Sequence, residues 1–482
     1  MRDVVSRMLN IRREELPLAV LSALLFFFVL CGYYFLRPVR DAMGVSRGMD
    51  AFRWLFVLTS LTSLVVVLAF GGVVASTNRR RFIPIAYLFV IVCLFGFAGL
   101  LIWDAASGGG LIGTDAQTTL SKVVGYTFFV WLSVINLFIT AVFWAFMVDL
   151  FDVDQGKRMF AFIGIGGTVG ALLGASITTW ISGKTHSIYL PAGLMLTGAA
   201  LFGFAIVTVL ILDRMALRSD VSHLAARTAA TGTPTAEAEA ASPSTGRGAR
   251  PAPAPRTAIG GRFWDGAKAV ATSPYLLGIA LWIVFMAISN TLIYFSQAHI
   301  VLAETDTFSR RVQSFGGFDM AAQVATLLTQ MFITTHLIKK LGVGWTLCIL
   351  PVVTMAGFAA LSVWTIYGVM AVFQALQRAT RYAVSRPARE TLYSVITPAE
   401  KYKAKPIVDV FLYRGGDVTG AGIDAAFGAL GLGLGWIAAA TVPLAAVWST
   451  LSLGLGRAQQ RKDAERAAAE APTTPSPSPQ PS

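Results

Sequence analysis

Charge is scarce in this sequence: 13% of its 482 residues are Asp, Glu, Lys or Arg, while 55% are hydrophobic. A water-soluble globular chain carries about 25% charged residues. Too few polar side chains remain here to cover a water-facing surface. Cysteine is almost missing. The three present, Cys31, Cys93 and Cys348, lie inside apolar runs, where a thiol acts as a small hydrophobe. That argues against a disulfide framework and against a metal cluster. His186, His223, His299 and His336 are scattered without ligand spacing, so no metal site is implied. No nucleophile–base arrangement and no ATPase loop occurs, which argues against an enzyme or a primary pump, and no cofactor is implied.

What the chain has instead is a series of apolar runs of about 20 residues, long enough to cross a ~30 Å hydrocarbon core at 1.5 Å per residue. They predict spans at 16–37, 54–75, 82–103, 123–148, 159–181 and 189–212, then 274–296, 316–337, 342–361, 364–384, 406–430 and 433–455. Each is expected to be helical, since an open strand would leave backbone groups unpaired in lipid. The fold class is therefore an all-α polytopic membrane protein of about twelve transmembrane helices. The net charge of +13 does not point to nucleic acid, because the basic residues sit in short loops between apolar runs. Such residues set membrane orientation. Arg79-Arg80-Arg81, Lys157-Arg158, Lys339-Lys340 and the stretch Arg386 to Lys405 place both termini in the cytoplasm of a bacterial inner (plasma) membrane. The first residues mix Arg with Glu, the run after them is too long for a signal peptide, and no A-x-A site follows. The first helix is expected to stay in the protein.

Residues 1–15 read as a cytoplasmic N-terminus, 16–212 as one six-helix half and 274–455 as the other. Between them, 213–273 includes TAATGTPTAEAEAASPSTGRGARPAPAPR, a composition that buries no core and reads as a largely disordered linker. The tail 456–482, ending TTPSPSPQPS, reads the same way. A faint repeat supports the two halves. KRMFAFIGIGGTVGALLGA from Lys157 and KAKPIVDVFLYRGGDVTGAGI from Lys403 both run from a basic pair through aromatics to Gly-Gly-x-Val. The glycines from Gly164 to Gly174 have no strand before them, so they are no dinucleotide loop. Their spacing predicts a close helix-packing face.

Charges inside membrane spans are costly unless they face a cavity or a partner, which makes them the best functional pointers. The eleventh span holds Asp409, Arg414, Asp417 and Asp424. Arg414 and Asp417 lie three apart and share a helical face, with Asp424 seven further on. They read either as a cavity lining, with Asp417 and Asp424 as coupling groups and Arg414 gripping solute, or as an ion pair that locks packing. The first span ends in YYFLRPVRDAMG, where Pro38 is expected to break the helix. Arg37 and Arg40 flank it. A planar guanidinium fork suits phosphate or carboxylate, though snorkelling to headgroups would also place arginines there. Asn136 in the fourth span and Gln297 near the end of the seventh are weaker cavity candidates. Arg386, Arg389 and Glu390 could form a cytoplasmic gate, with Asp149, Asp152 and Asp154 at the matching place in the first half.

Four stretches carry a family likeness: YYFLRPVRDAMGV, FWAFMVDLFDVDQGKRMFAFIGIGGTVGAL, SPYLLGIA and SRPARETLYSVITPAEKYKAKPIVDV. In order and spacing they resemble the ATP:ADP antiporter (nucleotide transporter) family, a branch related to the major facilitator superfamily. The resemblance covers nearly all spans and implies a facilitator-like bundle of two six-helix halves, solute transport and a site between those halves. It also marks departures. The family's first-span lysine corresponds to Arg40, its glutamates in the fourth and seventh spans fall near Leu132 and Tyr294, and its eleventh-span lysine corresponds to Asp417. The expectation is a secondary transporter of a polar, anionic small solute, with Arg37, Arg40, Asn136, Tyr294 and Arg414 at the solute. The alternatives are a proton-coupled carrier of a non-nucleotide solute and a non-transporting, lipid-binding or assembly protein.

Overall fold

The computed structural model describes residues 15–76, 79–151, 153–231, 263–332 and 334–470, and among these every regular element is a helix. The first six are α1 (Leu16–Val45), α2 (Met49–Ser76), α3 (Arg79–Ala106), α4 (Thr119–Leu150), α5 (Val153–Lys184) and α6 (Leu190–Thr231). The second half brings α7 (Phe263–Thr272), α8 (Pro274–Glu304), α9 (Phe308–Phe332), α10 (Thr334–Val363), α11 (Tyr367–Ala379) and α12 (Arg386–Leu392). It closes with α13 (Pro398–Pro406), α14 (Tyr413–Ala429) and α15 (Leu434–Glu470). One π-helical turn, Thr380–Ser385, joins α11 to α12, and another, Ile407–Leu412, joins α13 to α14. Each π turn adjoins a proline, Pro387 or Pro406, whose missing N–H disturbs the α ladder nearby.

Nine helices among the described residues are long and apolar enough to cross a bilayer. The expected eighth, tenth and eleventh spans fall short of that measure for two reasons. Helix α9 is diluted by Arg310, Arg311, Gln313, Asp319 and Gln323. Helices α11 and α14 are 13 and 17 residues long because a π turn interrupts each run. These three spans supply much of the polar chemistry described below. The ninth span begins after Gly342, whose φ of 71° turns the chain inside α10 where a side chain would be strained.

Three expectations change. Pro38 does not break α1, which continues to Val45. Proline frees the carbonyl one turn back, and in a membrane helix neighbouring side chains can compensate. Here Thr178 of α5 donates to the adjacent Phe35 carbonyl at 2.8 Å. Of the residues placed in the linker, 213–231 continue α6 and 263–272 form α7, and Gly266 lies against the Lys403 backbone of α13. The last helix continues fifteen residues past 455 to Glu470, with Gln459 donating to the Thr391 carbonyl at 3.2 Å. Residues 232–262 and 471–482, the rest of the expected linker and tail, lie outside the described residues.

The chain forms two compact units that do not follow the expected division at the linker. The first gathers α1–α6 with Tyr294–Leu327 and Ile366–Ala375. The second gathers the described residues of Gly260–Ile293, Leu328–Thr365 and Leu376–Ser482. In the first unit, α1 packs chiefly on α5, with α6 and α4 alongside. A Cβ on Gly166, Gly170 or Gly174 would strike the carbonyl oxygens of Ala23, Phe27 and Cys31, one turn apart along α1. Small residues let two backbones approach this closely. In the second unit the same relation joins α14 to α8: Gly416 faces Val284 and Ala287, and Gly420 faces Ile288 and Thr291. The first and fifth helices of each half thus share a glycine-lined seam. Its other anchor in the second unit is an aromatic core, where Trp282 and Trp448 meet edge to face at 5.4 Å and the Trp282 indole donates to Ser452 at 2.9 Å.

Neighbouring glycines give a controlled test of that seam. Nothing lies within 4 Å of a Cβ on Gly164 or Gly415. Alanine there is expected to leave the unfolding midpoint in detergent unchanged or raised. Gly170→Ala and Gly416→Ala should each destabilise by about 1–3 kcal/mol, the usual cost of overpacking. Equal midpoints for the four variants would count against glycine-dependent packing.

Candidate functional site

The last turns of α1 carry the densest buried charge in the first unit. Arg40 and Asp41 are nearly inaccessible, at 7% and 2% exposure. Arg40 donates to the Asp41 carboxylate through Nε at 2.9 Å and Nη2 at 2.6 Å, and to the Ser133 hydroxyl of α4 at 3.2 Å. The Tyr294 hydroxyl donates to the same Asp41 oxygen at 2.6 Å. The Phe129 ring lies 5.3 Å from the Arg40 guanidinium. Arg37, one turn earlier, pairs with Asp319 of α9 at 2.6 Å and also approaches Asp41 at 3.8 Å. Both first-span arginines expected at the solute are therefore held by carboxylates. Leaving water for hydrocarbon makes an unpaired guanidinium costly, and two acids with a phenol meet that need.

An aromatic cluster seats Tyr294. Phe52 and Phe56 of α2 lie 5.3 and 5.7 Å from its ring, and both also touch Phe295. Tyr294 and Gln297 sit on one face of α8, and Gln374 of α11 donates to Gln297 at 2.8 Å. Tyr367, at the start of α11, stacks near Phe318 at 4.3 Å and donates to the Ser314 carbonyl at 3.1 Å. These contacts attach parts of the seventh, eighth and tenth spans to α1–α5. Asn136 is half-buried in α4, apart from the polar contacts above.

The second unit holds a different arrangement. Arg414 pairs with Asp417 at 2.8 Å, as their spacing predicts, and Thr291 of α8 donates to the other Asp417 oxygen at 3.2 Å. Asp424 is fully buried on the same helix. Gln377 of α11 donates to Asn290 of α8 at 2.6 Å. The distinctive group is Arg381, on the first π turn. Its guanidinium donates to the Tyr413 hydroxyl at 2.8 Å and lies 5.3 and 5.9 Å from the rings of Tyr382 and Tyr413. No carboxylate lies within ion-pair distance of it among the described residues. Helical π turns often occur at functional sites because they re-aim a side chain.

The expected gate residues of the second half pair among themselves. Arg389 lies 3.8 Å from both Asp409 and Glu390, and Lys405 contacts Glu390 at 2.7 Å. Burial pushes the Glu390 carboxyl up, but the Lys405 hydrogen bond and the nearby arginines hold it below its ordinary value. Arg386 opens α12, and Asp149 lies in the last turn of α4. The side chains of Asp152 and Asp154 lie outside the described residues.

Sequence reasoning passed over Asp319, Arg381 and Tyr413. Asp319 was visible as a lone acid in an expected span, the same signal that singled out Asp417. Arg381 falls in the cytoplasmic half of the expected tenth span, ahead of Arg386 and Arg389, with no role assigned to it. An arginine next to a tyrosine inside an apolar span was the available sign.

No protein-family model matches the chain. It is 21% identical over 491 aligned residues to ADP,ATP carrier protein 1 of Chlamydia trachomatis, covering 93% of this chain and 89% of that one. The equivalent protein of Chlamydia muridarum is 22% identical with the same coverage. Among solved structures, a bacterial homologue of the iron transporter ferroportin superposes with a TM-score of 0.57 at 12% identity, covering 92% of this chain and 99% of that one. A variant of the nucleoside transporter NupG does so at 0.52 and 14%, with the same coverage. The fold is the facilitator type. The chain is a multi-pass membrane protein that resembles nucleotide exchangers along nearly its whole length, and these relatives are carriers, not enzymes.

Asp41 gives the sharpest energetic test of the first-unit cluster. Asp41→Asn leaves two buried guanidinium groups without a shared anion and should cost about 3–5 kcal/mol. Tyr294→Phe removes a single hydrogen bond and should cost about 1 kcal/mol. Unfolding midpoints in detergent decide the matter: similar losses for the two would remove Asp41 from the centre of the network.

Proposed function

We propose that this chain is a secondary transporter that moves a polar, anionic small solute by alternating access. The observation that carries the reading is Arg381, a cation in an expected membrane span with aromatic neighbours and, among the described residues, no carboxylate at ion-pair distance. A planar guanidinium fork of this kind accepts a phosphate or carboxylate in two parallel hydrogen bonds. The near-full-length likeness to ADP,ATP carriers puts phosphorylated compounds, nucleotides among them, first among candidate solutes. Arg414 is the second anion contact, released when solute displaces Asp417. Asp417 and Asp424 are the coupling groups, able to trade a proton for the positive charge they give up.

Arg37, Arg40 and Tyr294 serve a different step in this reading. Held by Asp41 and Asp319, they form a latch, and Arg40 reaches solute only in the state where Asp41 has let go. Arg386, Arg389 and Glu390 serve as gate residues of the second unit and Asp149 as one of the first, with Asn136 as a minor lining group. The positive charges of Arg79 to Arg81 and Arg386 to Lys405 favour a bacterial inner membrane with both termini in the cytoplasm. The latch then lies on the periplasmic side.

A thermal-shift screen of the purified protein against nucleotides, inorganic phosphate and organic acids identifies the solute, because a ligand stabilises the state it binds. Uptake of that solute into proteoliposomes then tests the site. Arg381→Gln is expected to lower uptake about 100-fold, the scale of losing one charge-paired anchor, with partial activity kept by Arg381→Lys. Asp417→Asn should abolish stimulation by a pH gradient while leaving exchange against internal solute. Full uptake by Arg381→Gln would overturn the anchor, and an intact pH response in Asp417→Asn would overturn the coupling role.

A further inference from the structure

One concavity of the first unit takes no part in these clusters. It is a groove of about 840 Å³ between α2, α3 and α4, open along one side. Its walls include Leu58 of α2, Ile85 and Phe89 of α3, and Val134 and Val142 of α4. Leu58, Ile85 and Phe89 are each more than half exposed, although no aqueous surface tolerates such a set. Along α4 the lining runs from Tyr126 to Val142, about 24 Å at 1.5 Å per residue, most of a ~30 Å hydrocarbon core. That length accommodates a fully extended acyl chain.

The two ends differ. The Val142 end is apolar. The Tyr126 end carries a phenol that makes no hydrogen bond to the described residues, and one turn earlier on the same helical face stands Lys122. No acid lies within ion-pair distance of Lys122 among the described residues. A long, mostly apolar trough with a cation and a free phenol at its Tyr126 end matches an amphiphile with an anionic head. We propose that the groove is a phospholipid site, in which an acyl chain lies along α4 and the lipid phosphate is held by the Lys122 ammonium and the Tyr126 hydroxyl. Lysine recognises phosphate as a point charge, and membrane-surface lysines favour anionic lipid by a few-fold each. The lipid would hold α2, α3 and α4 together from the membrane side.

Trp131 lines the groove and supplies the readout. Delipidated full-length protein in detergent is titrated with phosphatidylglycerol and with phosphatidylcholine, both carrying brominated acyl chains. Tryptophan quenching in Trp131→Phe is subtracted to isolate the groove. Saturable quenching is expected, with phosphatidylglycerol half-saturating at about five-fold lower concentration. Lys122→Gln should erase that preference and Lys122→Arg should keep it. Leu58→Phe, a change at an exposed position on the groove wall, should weaken both lipids. Quenching that never saturates, or that is equal for the two headgroups in the unaltered protein, would show bulk lipid only and overturn the site. A preference surviving in Lys122→Gln would overturn the assigned headgroup contact.

Discussion

An arginine taken out of water into a bilayer needs an anion beside it, or it drags water and headgroups inward at a cost of several kcal/mol. Arg37 and Arg40 lie one turn apart near the end of α1, and the first unit is arranged around their need. Asp41 answers from the same helix, so Arg40 is neutralised locally. Arg37 reaches Asp41 only at 3.8 Å, and its closer anion is Asp319, on a helix almost three hundred residues away in the chain. Tyr294 adds a hydroxyl to Asp41 from a third place. Two short stretches of the second six-helix half, 294–327 and 366–375, are thereby committed to the first unit. The division of the molecule follows the charges rather than the linker.

Arg381 is the counter-case. It falls near the end of the expected tenth span, yet its partners are a phenol and two ring faces. Cation–π contact and one neutral hydrogen bond stabilise a guanidinium less than an ion pair does. A structural arginine would be expected to have recruited an acid at ion-pair distance, and Asp417 is close enough to interact electrostatically with Arg381 but is directly engaged by Arg414 and Thr291. The π turn adds to the case, since it sacrifices ladder regularity at the residue that presents this side chain. Such sacrifice is common where position matters more than stability.

The apolar runs made the helices legible from the residues alone, and the spacing of Arg414 and Asp417 made their pairing legible. Both depend on local periodicity. The glycine face of α5 was legible for the same reason, but its partner α1 was not, because packing partners are set by tertiary geometry. Pro38 misled, since proline in isolation does break a helix and the Thr178 hydroxyl that supports the Phe35 carbonyl belongs to another segment. The π turns left no simple signature beyond adjoining prolines. Asp319 marks the boundary most clearly: its burial cost was predictable from its place in a span, whereas the identity of its partner was not.

The two halves repeat in their backbones and differ in their charges. Helices α1 with α5 and α8 with α14 meet along matching glycine seams, an arrangement that any close helix crossing demands. Nothing in that packing requires an arginine. The charges at the end of the first helix are met by carboxylates, while Arg381 in the second half has none at ion-pair distance among the described residues. A symmetric structural role would have placed equivalent pairs in both. The two regions thus differ in how a buried guanidinium is met: by carboxylates at the end of α1, by a phenol and two ring faces at Arg381.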